Sequence, residues 1–413
     1  MMNRFEEFTT RIVQQVGKKE GPVSPVMVNS ASFGYGSSET GEGIFDGSVK
    51  KPLYARVGNP TSAQLEQILA SMDGGIGAVA ASSGMGATAM ATLSLLRAGD
   101  EIISIGGLFG GTYSYFTETL VRFGITTHFF DVDALEAIEE SINTATKIIF
   151  LESVGNPNMR LPDISKIAEI ANRYGVVLMV DNTITPLSVA PIALGADIVV
   201  YSTTKIITGN ASALGGAVIF RAIAEGEDKF KTERYRDVHP FIKKIGSMAL
   251  VANAKKRALR DFGMSANGFG SYLTMLGLET LPLRMDRIVT TVETVAKALM
   301  EKGFSINHPC LPHHPHHERY LSQFSNGCGT ILTIDMGSKE RAFDFLNRSK
   351  LMTITANIGD SRTLGLHMAS TIYRDFDEAT REFLGITPGL VRISIGLESA
   401  EAIIADFVNA ANL

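Results

Sequence analysis

The residue that could do the most distinctive chemistry is Lys205, at the end of Val199-Val200-Tyr201-Ser202-Thr203-Thr204-Lys205. Two β-branched residues and an aromatic read as the end of a buried strand. Ser202 and Thr204 put hydroxyls in the short turn that follows. An ammonium directly after a buried strand is costly to desolvate, so the position suits a lysine that works as a neutral amine. A desolvated lysine gives up its proton more readily and can condense with an aldehyde to a Schiff base. The alternative is a surface lysine whose stem lies on the protein and whose charge reaches water.

Asp181 follows the apolar run Val176-Val177-Leu178-Met179-Val180. An ionised carboxylate at a buried strand end needs a partner. A pyridinium nitrogen is one such partner, and the carboxylate keeps that ring protonated as an electron sink for carbanions. Alone, Asp181 reads equally well as a helix cap or half of an ion pair. Asp181 and Lys205 together follow successive strands and face one site, as pyridoxal 5′-phosphate (PLP) chemistry requires.

Ser83-Gly84-Met85-Gly86 opens a helix after a strand, where exposed N–H groups and the helix dipole favour a phosphate. The stretch also fits the GxGxxA pattern of a dinucleotide site. The acidic partner expected about 20 residues further on is met only by Asp100 or Glu101. Either cofactor places a phosphate at the same helix start, so this motif leaves both open. Arg392 lies inside the apolar run 390–396, which suits bidentate pairing with a carboxylate such as that of an amino acid. An outward-facing arginine on a half-exposed strand is the alternative. Five of the eight histidines fall within 308–317. Pro309, Pro312 and Pro315 predict an extended surface loop there rather than a metal site.

The elements that must position these residues alternate. Strands are predicted at 78–82, 101–105, 126–130, 147–151, 176–180, 196–201 and 216–220. Helices are predicted at 61–73, 86–96, 113–123, 134–142 and 164–174. Thr61 and Gln64 fit a capping box for the first. The alternation predicts an α/β fold with right-handed βαβ units and a mostly parallel sheet. Ligands then collect beyond the carboxyl ends of the strands. Residues 1–60 are rich in glycine and proline and predict an irregular arm that contacts a neighbouring subunit. Residues 61–250 form the α/β domain, with 221–250 a partly exposed connection. Residues 251–413 mix helices with strands at 329–335 and 390–395 as a smaller α+β domain.

The 413 residues are 45% hydrophobic and 20% charged, with a net charge of −5. This balance suits a globular chain and gives no basic footprint for nucleic acid. The two cysteines, Cys310 and Cys328, form no CxxC pair, which predicts a reducing cytoplasm. The acidic start predicts no signal peptide, and no apolar run is long enough to predict a membrane span.

From about residue 21 onward the chain resembles the PLP-dependent Cys/Met-metabolism (trans-sulfuration) family. The resemblance rests on Tyr54-Ala55-Arg56 with Asn59-Pro60-Thr61, Ser83-Gly84-Met85, Gly110-Gly111-Thr112, Glu152 with Asn156-Pro157, Asp181-Asn182-Thr183, Ser202-Thr203-Thr204-Lys205 and Leu390-Val391-Arg392. It implies PLP fold type I and a homotetramer of paired subunits that share active sites. It implies that Lys205 carries PLP as a Schiff base and that Asp181 contacts the ring nitrogen. Gly84, Met85, Ser202 and Thr204 would hold the phosphate, and Ser83 and Thr183 belong to the same cofactor-binding set. Tyr54 and Arg56 would reach the phosphate of the neighbouring subunit. Asn156 would lie near the ring oxygen, and Arg392 would receive the substrate carboxylate.

Two positions depart from the family. Phe109 stands where relatives usually carry a tyrosine, so it can stack on the cofactor but cannot donate a proton. Asn357, expected at the substrate, replaces a common serine. Gly111 stands where methionine γ-lyases usually have a cysteine. The chain has no Trp, which β-lyases of the family usually place in the 357–359 loop. Cystathionine γ-synthases and γ-lyases usually have a glutamate near Ser361. The loop Asn357-Ile358-Gly359-Asp360 and the chain length look most like the O-acetylhomoserine sulfhydrylase branch. That implies γ-replacement on an O-acylated homoserine, with sulfide as donor and homocysteine as product in methionine biosynthesis. Cystathionine γ-synthase and γ-lyase chemistry are the alternatives.

Overall fold

The computed structural model describes residues 4–16 and 21–412. Residues 1–3 and 17–20 of the expected arm, and the last residue, lie outside the described residues. Seven strands form the larger sheet: β1 (Gly77–Ala81), β2 (Glu101–Ile105), β3 (Thr126–Phe130), β4 (Thr146–Glu152), β5 (Val177–Asp181), β6 (Ile198–Tyr201) and β7 (Gly216–Phe220). Their order is β1-β7-β6-β5-β4-β2-β3. The pairs from β3 to β6 are parallel, and only β7 runs antiparallel to its neighbours β1 and β6. The carboxyl ends of β1, β2, β4, β5 and β6 therefore share one edge.

Continuous apolar strands of this kind are buried on both faces. Alternate residues of β5 enter different cores. Leu178 and Val180 pack with Leu65, Ile68 and Ile167, while Val177 and Met179 pack with Met90 and Phe116. The first group brings in the helices Pro60–Asp73 and Ile164–Arg173, the second the helix Gly84–Leu93. The alternation with helices ends at β5, as the predicted elements have it, and β6 and β7 also follow one another without a helix. Between β5 and β6 the chain makes turns instead of a helix.

A second sheet holds β8 (Ser305–Asn307), β9 (Ile331–Asp335), β10 (Thr353–Ile354), β11 (Leu364–His367) and β12 (Leu390–Ser394), in the order β10-β11-β12-β9-β8. All its pairs are antiparallel except β10 with β11. The helix Gly268–Glu301 links the two sheets through Met275, Leu278, Leu281 and Met285, which share a core with strands of both.

Several expectations require correction. The 1–60 stretch is not structureless: it contains helices Arg4–Val16 and Ser38–Asp46. Phe8 and Ile12, one turn apart, are fully buried, so this part packs on its own chain. The helix Pro60–Asp73 is capped by Asn59, whose side chain accepts the Thr61 N–H at 2.8 Å, and not by a Thr61–Gln64 box. The Thr61 hydroxyl instead donates to the Val26 carbonyl and accepts the Val28 N–H, fastening the arm. The 308–317 segment is no surface loop. His308, His314 and His316 are buried, and His316 bonds the Leu161 N–H and the Asp133 carboxylate. Pro309 is buried with these histidines, while Pro312, His313 and Pro315 are exposed, so the segment is packed on one side and open on the other. Among the described residues no group of three or more potential ligands could hold a metal, and no helix is long and apolar enough to cross a membrane.

The 221–250 connection is also tied down. Lys229 donates to the fully buried Asp197 at 2.6 Å, Arg221 bonds the same carboxylate at 2.7 Å, and the Leu178 N–H of β5 donates to it at 2.8 Å. Removing one partner from a buried ion network leaves the others uncompensated. Asp197→Ala should lower stability by about 3 kcal/mol or more, read from urea unfolding. A loss below about 1 kcal/mol, the range of a surface pair, would contradict this anchoring role.

Candidate active site

The strand ends close around a cleft of about 210 Å³. β1 delivers Ser83, Gly84 and Met85. The β2 turn delivers Phe109, and β4 ends on Glu152 with Asn156 just beyond. β5 ends on Asp181, followed by Thr183. The β6 turn supplies Ser202, Thr204 and Lys205, and β12 of the second sheet inserts Arg392. All of these line the cleft.

One end is built for an anion. Ser83 caps the helix Gly84–Leu93 by accepting the Gly86 N–H at 3.0 Å. The first-turn N–H groups of Gly84 and Met85 have no acceptor in the preceding turn. A Cβ on Gly84 would stand 2.6 Å from Ser202 Cβ, so only glycine lets these two backbones meet. Thr204 is already engaged: its hydroxyl donates to the Gly215 carbonyl at 3.1 Å and accepts the Gly215 N–H at 2.9 Å. That bond closes the turn carrying Lys205 and competes with any contact from Thr204 to a phosphate. The cradle fits the phosphate of PLP through its backbone and Ser202.

The middle holds two carboxyls. Glu152 and Asp181 are register partners on adjacent parallel strands. Asp181 accepts the Thr183 N–H at 3.0 Å, and the Thr183 hydroxyl accepts the Ser202 N–H at 2.8 Å. Burial raises the proton affinity of Asp181, opposed by its bonds to Thr183. No cation pairs with it among the described residues, so a protonated ring nitrogen fits here. Glu152 is 6% exposed and accepts the Phe109 N–H at 2.7 Å. Burial, and then the charge of Asp181, push it well above the usual carboxylate range. Sequence reasoning gave Glu152 no role. The available signal was the same as for Asp181, an acid closing an apolar strand.

The far end is cationic. Burial and the charge of Arg392 lower the Lys205 ammonium to about 8. Its Nζ donates to Asn357 Oδ1 at 2.8 Å. Asn357 thus meets Lys205, although its expected contact was substrate. Gly359 secures this loop: a Cβ there would lie 2.5 Å from the Ile206 nitrogen. Arg392 is 2% exposed, which removes the outward-facing alternative. It donates to Asn156 Oδ1 at 3.2 Å and to the Ala356 carbonyl at 3.0 Å. Burial lowers its pKa to about 10, and no carboxylate pairs with it among the described residues.

Tyr54 and Arg56 are not brought to this cleft. Tyr54 is 44% exposed, and Arg56 lies 5.8 Å over its ring while donating to the Arg260 carbonyl. The dinucleotide alternative also loses its acid. Asp100 and Glu101 stand at the amino end of β2, across the sheet from the cleft. There Asp100 faces Lys147, and Glu101 bonds Asn143.

The arrangement offers an aldehyde a weakly basic amine, an anion cradle, a carboxyl for a ring nitrogen and an arginine for a carboxylate. In cofactor-free protein, covalent uptake of PLP by Lys205 should accelerate with rising pH, because the neutral amine is the nucleophile. Its half-maximum should fall near pH 8 when followed by absorbance. A midpoint near 10.5, the ordinary lysine value, would contradict the depressed basicity.

Comparison with known proteins gives the same picture. The family model for Cys/Met metabolism PLP-dependent enzymes matches residues 9–412. The homocysteine synthase of Schizosaccharomyces pombe is 37% identical over 371 residues, covering 87% of this chain and 86% of its own. O-acetyl-L-homoserine sulfhydrylase 1 of Thermus thermophilus is 34% identical over 98% of this chain and 97% of its own. A crystal structure from Campylobacter jejuni, assigned as an O-acetylhomoserine (thiol)-lyase, is 29% identical with a TM-score of 0.92, and each chain is covered 100%. That protein carries N′-pyridoxyl-lysine-5′-monophosphate at position 205. With a family match through almost its whole length and a cleft that fits the cofactor, this chain belongs to the Cys/Met-metabolism family of PLP-dependent enzymes.

Proposed function

We propose that this enzyme replaces the acyl group of an O-acylated homoserine, O-acetyl-L-homoserine above all, with sulfide and so forms L-homocysteine. The observation that carries the reading is the position of Lys205. A largely buried amine of lowered basicity lines the same cleft as Asp181 and Arg392. The names of the relatives and the Asn357-Ile358-Gly359-Asp360 loop support the substrate and the sulfur donor.

When bound, PLP supplies an aldehyde for exchange with the substrate amine and a sink for the electrons of an α-carbanion. The chain's own residues do the rest. Gly84 and Met85 offer N–H groups to the phosphate, with Ser202 beside them. Asp181 holds a proton at the ring nitrogen. Arg392 takes the substrate α-carboxylate and fixes the α-carbon within reach of Lys205. The Lys205 amine removes the α-proton, passes it on, and then removes a β-proton, which lets the acyl group leave the γ-carbon as a carboxylate. Sulfide adds at the carbon chain's γ-position, and protons return to the β- and α-carbons. Asn357 Oδ1, by holding one N–H of that amine, turns its lone pair toward the substrate. Phe109 covers the ring without donating a proton, so Lys205 carries most of the proton traffic. Acetate is a good leaving group and needs little help.

The assembly belongs to the same reading. The enzyme works as a cytoplasmic homotetramer in which the 1–60 arm takes Tyr54 and Arg56 to the phosphate of a neighbouring subunit. Their distance from their own cleft and their exposed, aromatic and cationic character support this. Two free, buried cysteines suit a reducing compartment. Residues 61–250 and 251–413, each with its own sheet, are taken as the two domains.

Borohydride treatment of the purified enzyme should leave a pyridoxyl adduct on the peptide containing Lys205, and Lys205→Ala should have none. The treated enzyme should be inactive. The untreated one should convert O-acetylhomoserine and sulfide to homocysteine faster than it releases ketobutyrate without sulfide. An unmodified Lys205 peptide from wild type, or ketobutyrate as the main product with sulfide present, would refute the reading.

A further inference from the structure

Phe109 and Asn156 stand on separate loops, after β2 and after β4. Their loops are nevertheless joined from two sides. On one side is the carboxyl of Glu152, which accepts the Phe109 N–H at 2.7 Å and is also reached by the Asn156 N–H. On the other is Tyr373, fully buried, from the segment that follows β11 in the second sheet. Its hydroxyl lies between the Asn156 carbonyl at 2.9 Å and the Leu108 carbonyl at 3.2 Å. The loops have no slack. A Cβ on Gly110 would stand 2.8 Å from Ile372 Cγ2, and one on Gly107 would stand 2.3 Å from Asn158 Nδ2.

We propose that Glu152 and Tyr373 are positioning residues that clamp the 106–112 and 153–157 loops together, and so fix the spacing between the Phe109 ring and the Asn156 side chain at the cofactor ring. The proposal rests on the cleft being the PLP site. Glu152 accepts from one loop's backbone while reaching the other's, and Tyr373 offers its proton to carbonyls of both. A ring with no hydroxyl of its own, as in Phe109, has no polar anchor inside the cleft. Its place is set by its backbone, and its backbone by the clamp. Both groups are buried, so losing either bond leaves a backbone N–H or carbonyl without a partner, which costs more than the same loss in water.

The test uses the holoenzyme of wild type, Tyr373→Phe, Glu152→Ala and Glu152→Gln. The readouts are visible circular dichroism of the bound chromophore, the PLP dissociation constant, and kcat and KM taken separately. Tyr373→Phe should weaken PLP binding by about fivefold and Glu152→Ala by about tenfold, the scale of one buried hydrogen bond. In both, the dichroic band should shrink and kcat should fall while KM for the amino acid stays nearly constant. Glu152→Gln keeps an oxygen for the Phe109 N–H and should recover most of the loss. Wild-type dichroism and affinity in Tyr373→Phe would overturn the clamp, as would a glutamine variant no better than the alanine one. If Glu152→Ala does not fold, Tyr373→Phe, which removes a single oxygen, decides. A wild-type enzyme with no chromophore on Lys205 would sink the PLP reading itself, and the clamp with it.

Discussion

The constraint on which the site depends is the burial of Arg392 without a carboxylate. Among the described residues its guanidinium bonds only neutral oxygens, those of Asn156 and of the 356–357 backbone. A buried cation left unpaired costs several kcal/mol. In the proposed function the substrate carboxylate offsets that cost. Burial, and then the same cation, lower the basicity of the neighbouring Lys205 and so prepare an amine that can act as nucleophile and base. On the other wall, Asp181 and Glu152 repeat the pattern with the sign reversed: two carboxyls and, among the described residues, no cation paired with them. The cleft is thus charge-divided, and a ligand with a pyridinium and a carboxylate satisfies both walls.

Holding unlike charges apart inside a protein needs rigid supports. The parallel strands supply the acidic wall, since β4 and β5 end side by side. The β6 turn supplies Lys205, closed by Thr204 against Gly215. Arg392 comes from a different sheet, and Gly359 lets its neighbouring loop touch the Lys205 turn. The site therefore exists only where the two sheets meet. Tyr373, also from the second half, reinforces the same seam.

Much of this was legible in the sequence because strand ends advertise themselves. An apolar run that stops at Asp181 or at Ser202-Thr203-Thr204-Lys205 announces both the strand and the site. What was not legible depends on tertiary partners. Glu152 matters through the amide it accepts, and Tyr373 through two carbonyls far away in sequence. The proline-rich 308–317 segment looked exposed, yet His316 is bonded to Leu161 and Asp133, partners no local pattern reveals. The helix Arg4–Val16 was hidden because, among its residues with described side chains, the fully buried ones are just Phe8 and Ile12. Tyr54 and Arg56, which do not line their own cleft, have a part only in the proposed assembly.

The most direct test of the charge-divided cleft is the affinity of the holoenzyme for L-norvaline and for its amide, followed by the absorbance of the bound chromophore. Norvaline keeps the carboxylate and lacks a leaving group. Wild type should prefer the acid by about a hundredfold, the scale of a buried ion pair, and Arg392→Leu should bind acid and amide alike. An undiminished preference for the acid in Arg392→Leu would show that the carboxylate is recognised elsewhere and would contradict the account.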